Sequence, residues 1–153
     1  LPAILSVGAS YKVTDNYLVS TTANYYFNHQ AKMDRVTTFG GHEHGRDYKN
    51  GWEVAFGNEY RLNNKFTLIG SVNYANTGAK NASFNDTEYA LNSVTLGAGI
   101  RYNYDETLAI TASVAHFIYE KEEGNFKEKY KVDENQKYHK QITAIGLSIT
   151  KKF

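Results

Sequence analysis

The chain has 153 residues, the size of one ordinary domain, and its 17 Lys and Arg nearly cancel its 16 Asp and Glu. No basic excess or like-charge block points to nucleic acid, so no nucleic-acid partner is expected. There is no Cys, which excludes disulfides, thiolate metal ligands and a Cys nucleophile.

The sequence opens on "LPAILSVGAS", which has neither a basic start nor a long apolar core, so no signal peptide is read within the chain. Nowhere does an apolar run approach the ~18 residues of a spanning helix. Instead, seven segments alternate apolar and polar residues, over 2–13, 17–27, 51–62, 66–75, 93–104, 107–119 and 139–153. A period of two is the pattern of strands, and no stretch keeps a period near 3.6. Each segment has about the ~9–11 residues that a tilted strand needs to cross a bilayer, or slightly more.

The connections are of two kinds. "TDN", "NNK" and "DE", all turn formers, follow the first, third and fifth segments. Long stretches rich in Asn, Gly, Lys, Glu and His, over 28–50, 76–92 and 120–138, follow the second, fourth and sixth. Short turns at one end and long polar loops at the other are the pattern of an outer-membrane barrel.

Each segment has two faces. Val94, Leu96, Ala98, Ile100 and Tyr102 oppose Ser93, Thr95, Gly97, Gly99 and Arg101; Trp52, Val54, Phe56, Tyr60 and Leu62 oppose Glu53, Ala55, Gly57, Glu59 and Arg61. A soluble sandwich would bury the apolar face, and a membrane barrel would turn it to lipid. The aromatics decide between them. Tyr11, Tyr17, Tyr60, Phe66, Tyr102 and Phe153 lie on apolar faces near the short turns, and Tyr25, Phe27, Trp52 and Tyr74 lie near the long loops. Aliphatic residues such as Val54, Leu68, Leu96 and Ile110 fall between. Two aromatic belts around an aliphatic band are the girdles of a membrane barrel. Asn58, Gly70 and His116 run against this assignment, since they would face lipid.

The fold class is therefore all-β, an antiparallel transmembrane β-barrel, with 1–153 as one barrel region. A closed single-chain bacterial barrel has an even number of strands, and open sheet edges are intolerable in hydrocarbon. Seven strands thus read as part of a larger barrel whose remainder holds an odd number.

Four stretches carry a resemblance: "LPAILSVGASYKVTDNYLVSTTANYYF", "YKNGWEVAFGNEYRLNNKFTLIGSVNYA", "LNSVTLGAGIRYNYDETLAITASVAHF" and the last strand ending on Phe. In their order and spacing they resemble outer-membrane transport proteins of the long-chain fatty acid transporter (FadL/TodX) type. The resemblance implies that this chain is the C-terminal half of a 14-stranded barrel that is plugged by an N-terminal hatch and passes hydrophobic molecules inward. The loop "NTGAK" lacks a Pro common in the family, and Asn92-Ser93 stands where an Asp-Arg pair is usual. The implied function is passage of hydrophobic small molecules, such as long-chain fatty acids or aromatic hydrocarbons, by an integral protein of the bacterial outer membrane. A general porin or structural barrel is the alternative, and a soluble β-sandwich binding module a further one. No enzyme is read, because no Ser–His–carboxylate set stands out, and no cofactor is expected. The expected partners are membrane lipid and lipopolysaccharide, the barrel assembly machinery and a hydrophobic small-molecule substrate.

Three groups of residues are candidates for a site. Glu59, Arg61 and Arg101, with Glu53, fall on the polar face, where an Arg can receive a substrate carboxylate or the charges can simply pair across strands. His42 and His44, in "GGHEHGRD", have ligand spacing for Zn or Cu, although a His-x-His in a polar loop is more often solvated, and no metal is assigned. Gly146, Leu147, Ile149 and Phe153 fit a C-terminal strand signal read by barrel assembly machinery through edge pairing, whereas Lys151 does not. Phe153 also fits a simple girdle aromatic.

Overall fold

The structure is a computed structural model that describes residues 2–31, 35–36, 42–43, 48–81, 84, 89–124, 127 and 131–152. Seven long strands form one sheet: β1 (Ile4–Thr14), β2 (Tyr17–Tyr26), β3 (Gly51–Arg61), β4 (Phe66–Asn76), β5 (Ser93–Asn103), β6 (Leu108–Tyr119) and β7 (Gln141–Lys151). Each pairs antiparallel with the next in sequence, in the order β1 to β7. The strand ends lie within two residues of the alternating segments, because the period of two and the turn formers are local signals. The long connections also hold a 3-10 turn at Asn28–Gln30 and two ribbons, Arg35–Val36 with His42–Glu43 and Glu122–Glu123 with Lys137–Tyr138.

The short turns are closed by side chains standing in for backbone. Asn63 Oδ1 accepts from the amides of Lys65 at 2.8 Å and Phe66 at 2.9 Å. Asp105 Oδ1 accepts from the Thr107 amide at 2.7 Å, the Thr107 hydroxyl at 2.8 Å and the Leu108 amide at 2.9 Å. These bonds satisfy amides that the hairpins leave without a ladder partner, which is why Asn and Asp begin such turns.

The sheet has no second layer among the described residues. Among the described residues the buried hydrophobics are Phe84, Leu91 and Tyr138, and all three lie in the long connections. The apolar face is bare: Phe56 keeps 44% of its surface and Leu96 49%, whereas Thr67 and Ser93 on the polar face keep 6% and 7%. A soluble sandwich would show the reverse. This contrast matches a sheet curled toward its polar face, with the apolar face offered to a medium as apolar as itself.

The girdles assemble by contact. Tyr17 meets Tyr60 at 6.2 Å and Phe66 meets Tyr102 at 5.1 Å toward the short turns. Tyr25 meets Phe27 at 5.0 Å and Trp52 meets Tyr74 at 5.3 Å toward the long loops. Register makes the pairs, since Tyr17 lies opposite Tyr60 and Phe66 opposite Tyr102. Two of the polar exceptions on this face are accommodated locally. His116 Nδ1 lies 2.8 Å from Thr143 Oγ1 on the neighbouring strand. Asn58 lies flat over Gly70, where a Cβ would stand 3.2 Å from its amide nitrogen.

The long connections have a small core that alternation does not reveal. Tyr138 stacks on Tyr89 at 4.5 Å and meets Phe84 edge-on at 5.4 Å. The Lys140 ammonium stands 4.2 Å from the Tyr119 ring centre and 5.3 Å from that of Tyr89. This joins the connection after β4 to the one after β6. The signal was present in the sequence as Phe84, Tyr89 and Leu91 within an otherwise polar stretch.

Candidate functional site: the inner wall

The polar face becomes the inner wall because curvature crowds it, and register sets its rows. One row crosses all seven strands through Ser10, Ser20, Gly57, Ser71, Gly97, Ala115 and Ala144. Every member is small, so the wall is thin there. The closeness is required: a Cβ on Gly97 would overlap Ser71 Oγ, and one on Gly57 would stand 2.9 Å from Ser20 Oγ.

Toward the short turns the wall is charged. Arg101 on β5 reaches across β4 to Glu59 on β3, with Nη1 donating to Oε2 at 3.1 Å and Nη2 to Oε1 at 3.4 Å. Thr67 lies between Arg61 and Arg101 in register, and the crossing guanidinium accounts for its burial. The Arg61 side chain has no hydrogen bond or ion pair among the described residues. Lys12 donates to Asp15 at 3.1 Å, an exposed pair of little energetic weight. Lys12, Arg61, Arg101, Glu59, Thr67 and Leu18 line a cavity of about 250 Å³. Of the three inner candidates, then, Glu59 and Arg101 are paired to each other, while Arg61 stands beside them in the same cavity.

Toward the loops a second polar group forms around Glu53, whose carboxylate accepts from the Tyr26 hydroxyl at 2.8 Å and from the Asn73 amide. Reading residue types alone leaves these partners unseen, because Glu53 and Asn73 come from different strands and meet only through register. The wall is not uniformly polar. Leu18, Ile69, Phe117 and Ile142 share its face, each paired in register with a residue of the polar set or with another of the four.

The other candidates fall elsewhere. His42 sits opposite Val36 in its ribbon, and His44 lies outside the described residues. Gly146, Leu147 and Ile149 lie on β7. Leu147 and Ile149 are exposed on the apolar face, while Gly146 turns to the inner wall, where an added Cβ would stand 2.8 Å from Ser113 Oγ. Phe153 lies outside the described residues.

No family model matches the sequence, and no curated protein matches it as a relative. Solved structures do match. A Pseudomonas aeruginosa FadL homologue superposes with a TM-score of 0.83 at 17% identity, over 98% of this chain and 35% of that one. A deltaS2 mutant of the TodX monoaromatic hydrocarbon channel gives 0.77 at 18% identity, over 100% and 36%. The CymD monoaromatic hydrocarbon channel gives 0.68 at 19% identity, over 99% and 36%. The chain has the fold of part of a FadL-type barrel and spans about a third of the length of those it matches.

Proposed function

We propose that this chain, built as part of a FadL-type barrel, is wall of an outer-membrane channel that passes hydrophobic small molecules such as long-chain fatty acids or aromatic hydrocarbons. The observation that carries the reading is the inner wall between its two polar groups. There, Ile69, Gly97, Gly99, Ser113, Ala144 and Gly146 line a groove of about 360 Å³ whose surface is mostly carbon. Small residues leave room, and apolar ones next to them lower the cost of moving a hydrophobic solute out of lipid or water. Of the charges toward the short turns, Glu59 and Arg101 are engaged with each other, and Arg61 stands beside them. The solved channels of the same fold that conduct monoaromatic hydrocarbons support the same reading. With it goes an integral protein among phospholipid and lipopolysaccharide, inserted by barrel assembly machinery.

The test is uptake in cells that carry or lack the full-length gene. Loss of the gene should slow entry of a labelled long-chain fatty acid or of toluene, and Ala144→Leu, which narrows the groove from a position that already carries a Cβ, should slow it in a barrel shown to be folded by its heat-modifiability. Unchanged uptake of a broad hydrophobic panel, with slowed entry of small hydrophilic solutes, would make the protein a general porin.

A further inference from the structure

The charged cavity at the short-turn end of the inner wall holds one cation to spare. Lys12, Arg61 and Arg101 line it together with two carboxylates, Asp15 and Glu59. Both carboxylates are engaged. Asp15 accepts from Lys12 Nζ at 3.1 Å, and Glu59 accepts from Arg101 Nη1 at 3.1 Å and Nη2 at 3.4 Å. Arg61 has no side-chain partner among the described residues, and the strands and turns around it, 10–20, 57–69 and 99–103, all fall among them.

The backbone beneath this side chain is nevertheless fixed. Arg61 closes β3, and its amide donates to Asn16 O at 2.8 Å. It pairs in register with Thr67, which pairs in turn with Arg101. Two steps across the sheet put the two arginines about 10 Å apart. Arg101 is spent on Glu59, whereas the exposed guanidinium of Arg61 keeps its N–H donors for something else.

What adjoins the cavity selects the ligand. Ile69 lies opposite Glu59 on one side and Gly99 on the other. Ile69 and Gly99 both line the carbon-rich groove. Arg61 is two residues beyond Glu59, about 7 Å along the strand. An uncommitted guanidinium therefore stands just past the end of an apolar groove, with Leu18 adding apolar surface in the cavity itself. A planar guanidinium matches a carboxylate through two parallel N–H···O bonds, and a neutral hydrocarbon offers it nothing. One spare cation suits one negative charge. We propose that Arg61 forms a carboxylate subsite at the short-turn end of the channel wall, where it holds the head of a hydrophobic monocarboxylate whose tail lies in the groove. The assignment rests on the channel reading above and narrows it from hydrophobic solutes in general to acids.

The experiment uses the full-length protein, folded in a non-ionic detergent and shown to be heat-modifiable, with equilibrium binding of tritiated dodecanoate and of its methyl ester at neutral pH. The acid should bind about tenfold or more tightly than the ester, the scale of a hydrogen bond between charged groups. Arg61→Gln breaks no side-chain bond of the wall. It should weaken binding of the acid to the level of the ester and leave the ester unchanged, which a merely structural role would not do. Arg61→Lys, which keeps the charge, should keep a preference for the acid. Lys65→Gln, in the turn after β3, should change neither ligand. Millimolar acetate should not displace dodecanoate. A folded Arg61→Gln barrel that prefers acid to ester as the wild type does would overturn the site, and so would a wild-type barrel that binds the two alike. Displacement by acetate would make it a site for small anions and overturn the assignment to amphiphiles. Binding of neither acid nor ester would instead sink the channel reading itself, so the two failures are distinguishable.

Discussion

Adjacent residues on β5 should respond oppositely to the same charge. Leu96 faces outward and Thr95 inward, and Leu96 lies two residues from Ala98 at the centre of the strand. Two residues are about 6.8 Å along the strand, or roughly 5 Å from the bilayer midplane at a tilt of ~40°. Arg on the lipid face costs about 2–4 kcal/mol at the midplane and ~1 or less at the interfaces, so about 2 kcal/mol at this depth. Leu96 keeps 49% of its surface for lipid to cover, and losing that contact adds about 1 kcal/mol to the cost. Leu96→Arg should therefore destabilise the folded barrel by about 3 kcal/mol, roughly a hundredfold in the folding equilibrium. Thr95→Arg, which points into a polar wall beside Asn73, should cost ~1 kcal/mol or less. Urea titration of the full-length protein in lipid vesicles, followed by Trp fluorescence, measures both. Equal costs, or a larger cost at Thr95, would refute the assignment of faces.

Arg101→Gln and Glu59→Gln should each cost about 1 kcal/mol, discounted because both side chains are about a third exposed, and the double variant should cost less than their sum. A thermodynamic cycle on urea midpoints reads this coupling, and strict additivity would show that the two groups do not interact. The Lys49 amide donates to Gly78 O at 2.7 Å, tying the connection after β2 to the one after β4, and Gly78→Ala should open this contact, at about 2 kcal/mol for a left-handed backbone and a clash with the Lys49 carbonyl. Limited proteolysis of folded protein should then cut near 48–50 and 77–80 faster than in the wild type. Three hydrogen bonds, from the Thr107 amide, the Thr107 hydroxyl and the Leu108 amide, hold the Asp105 carboxyl below the ordinary carboxylate range. Because the folded-state value is the lower one, the stability that Asp105 lends its turn is full above the unfolded value near ~4 and is lost as pH falls through the folded one. The Thr107 and Leu108 amide resonances should shift in that acid window, and Asp105→Asn should abolish the shift.

Period and punctuation are local properties, so the strands, the three tight turns and the two girdles were all legible in the chain. Val54, Phe56, Leu96 and Ile100 recur at every second position whatever lies around them, and Asn63 and Asp105 mark turns by bonding to amides two or three residues on. Alternation by itself is symmetric between a sandwich and a barrel, but the aromatic belts in the sequence decide for the barrel, and the uncovered apolar face of the folded sheet agrees. Two things were not local. Glu59 and Arg101 were visible as inward charges, but their pairing needed β4 between them, with residues 42 apart brought into reach by two hairpin registers. Phe84, Leu91 and Tyr138 belong to stretches without a period, and their core exists only because the connections after β4 and β6 emerge side by side. Local chemistry determined which residues extend and which turn; the register of distant strands decided which side chains meet, because in a sheet contact follows pairing and not proximity along the chain.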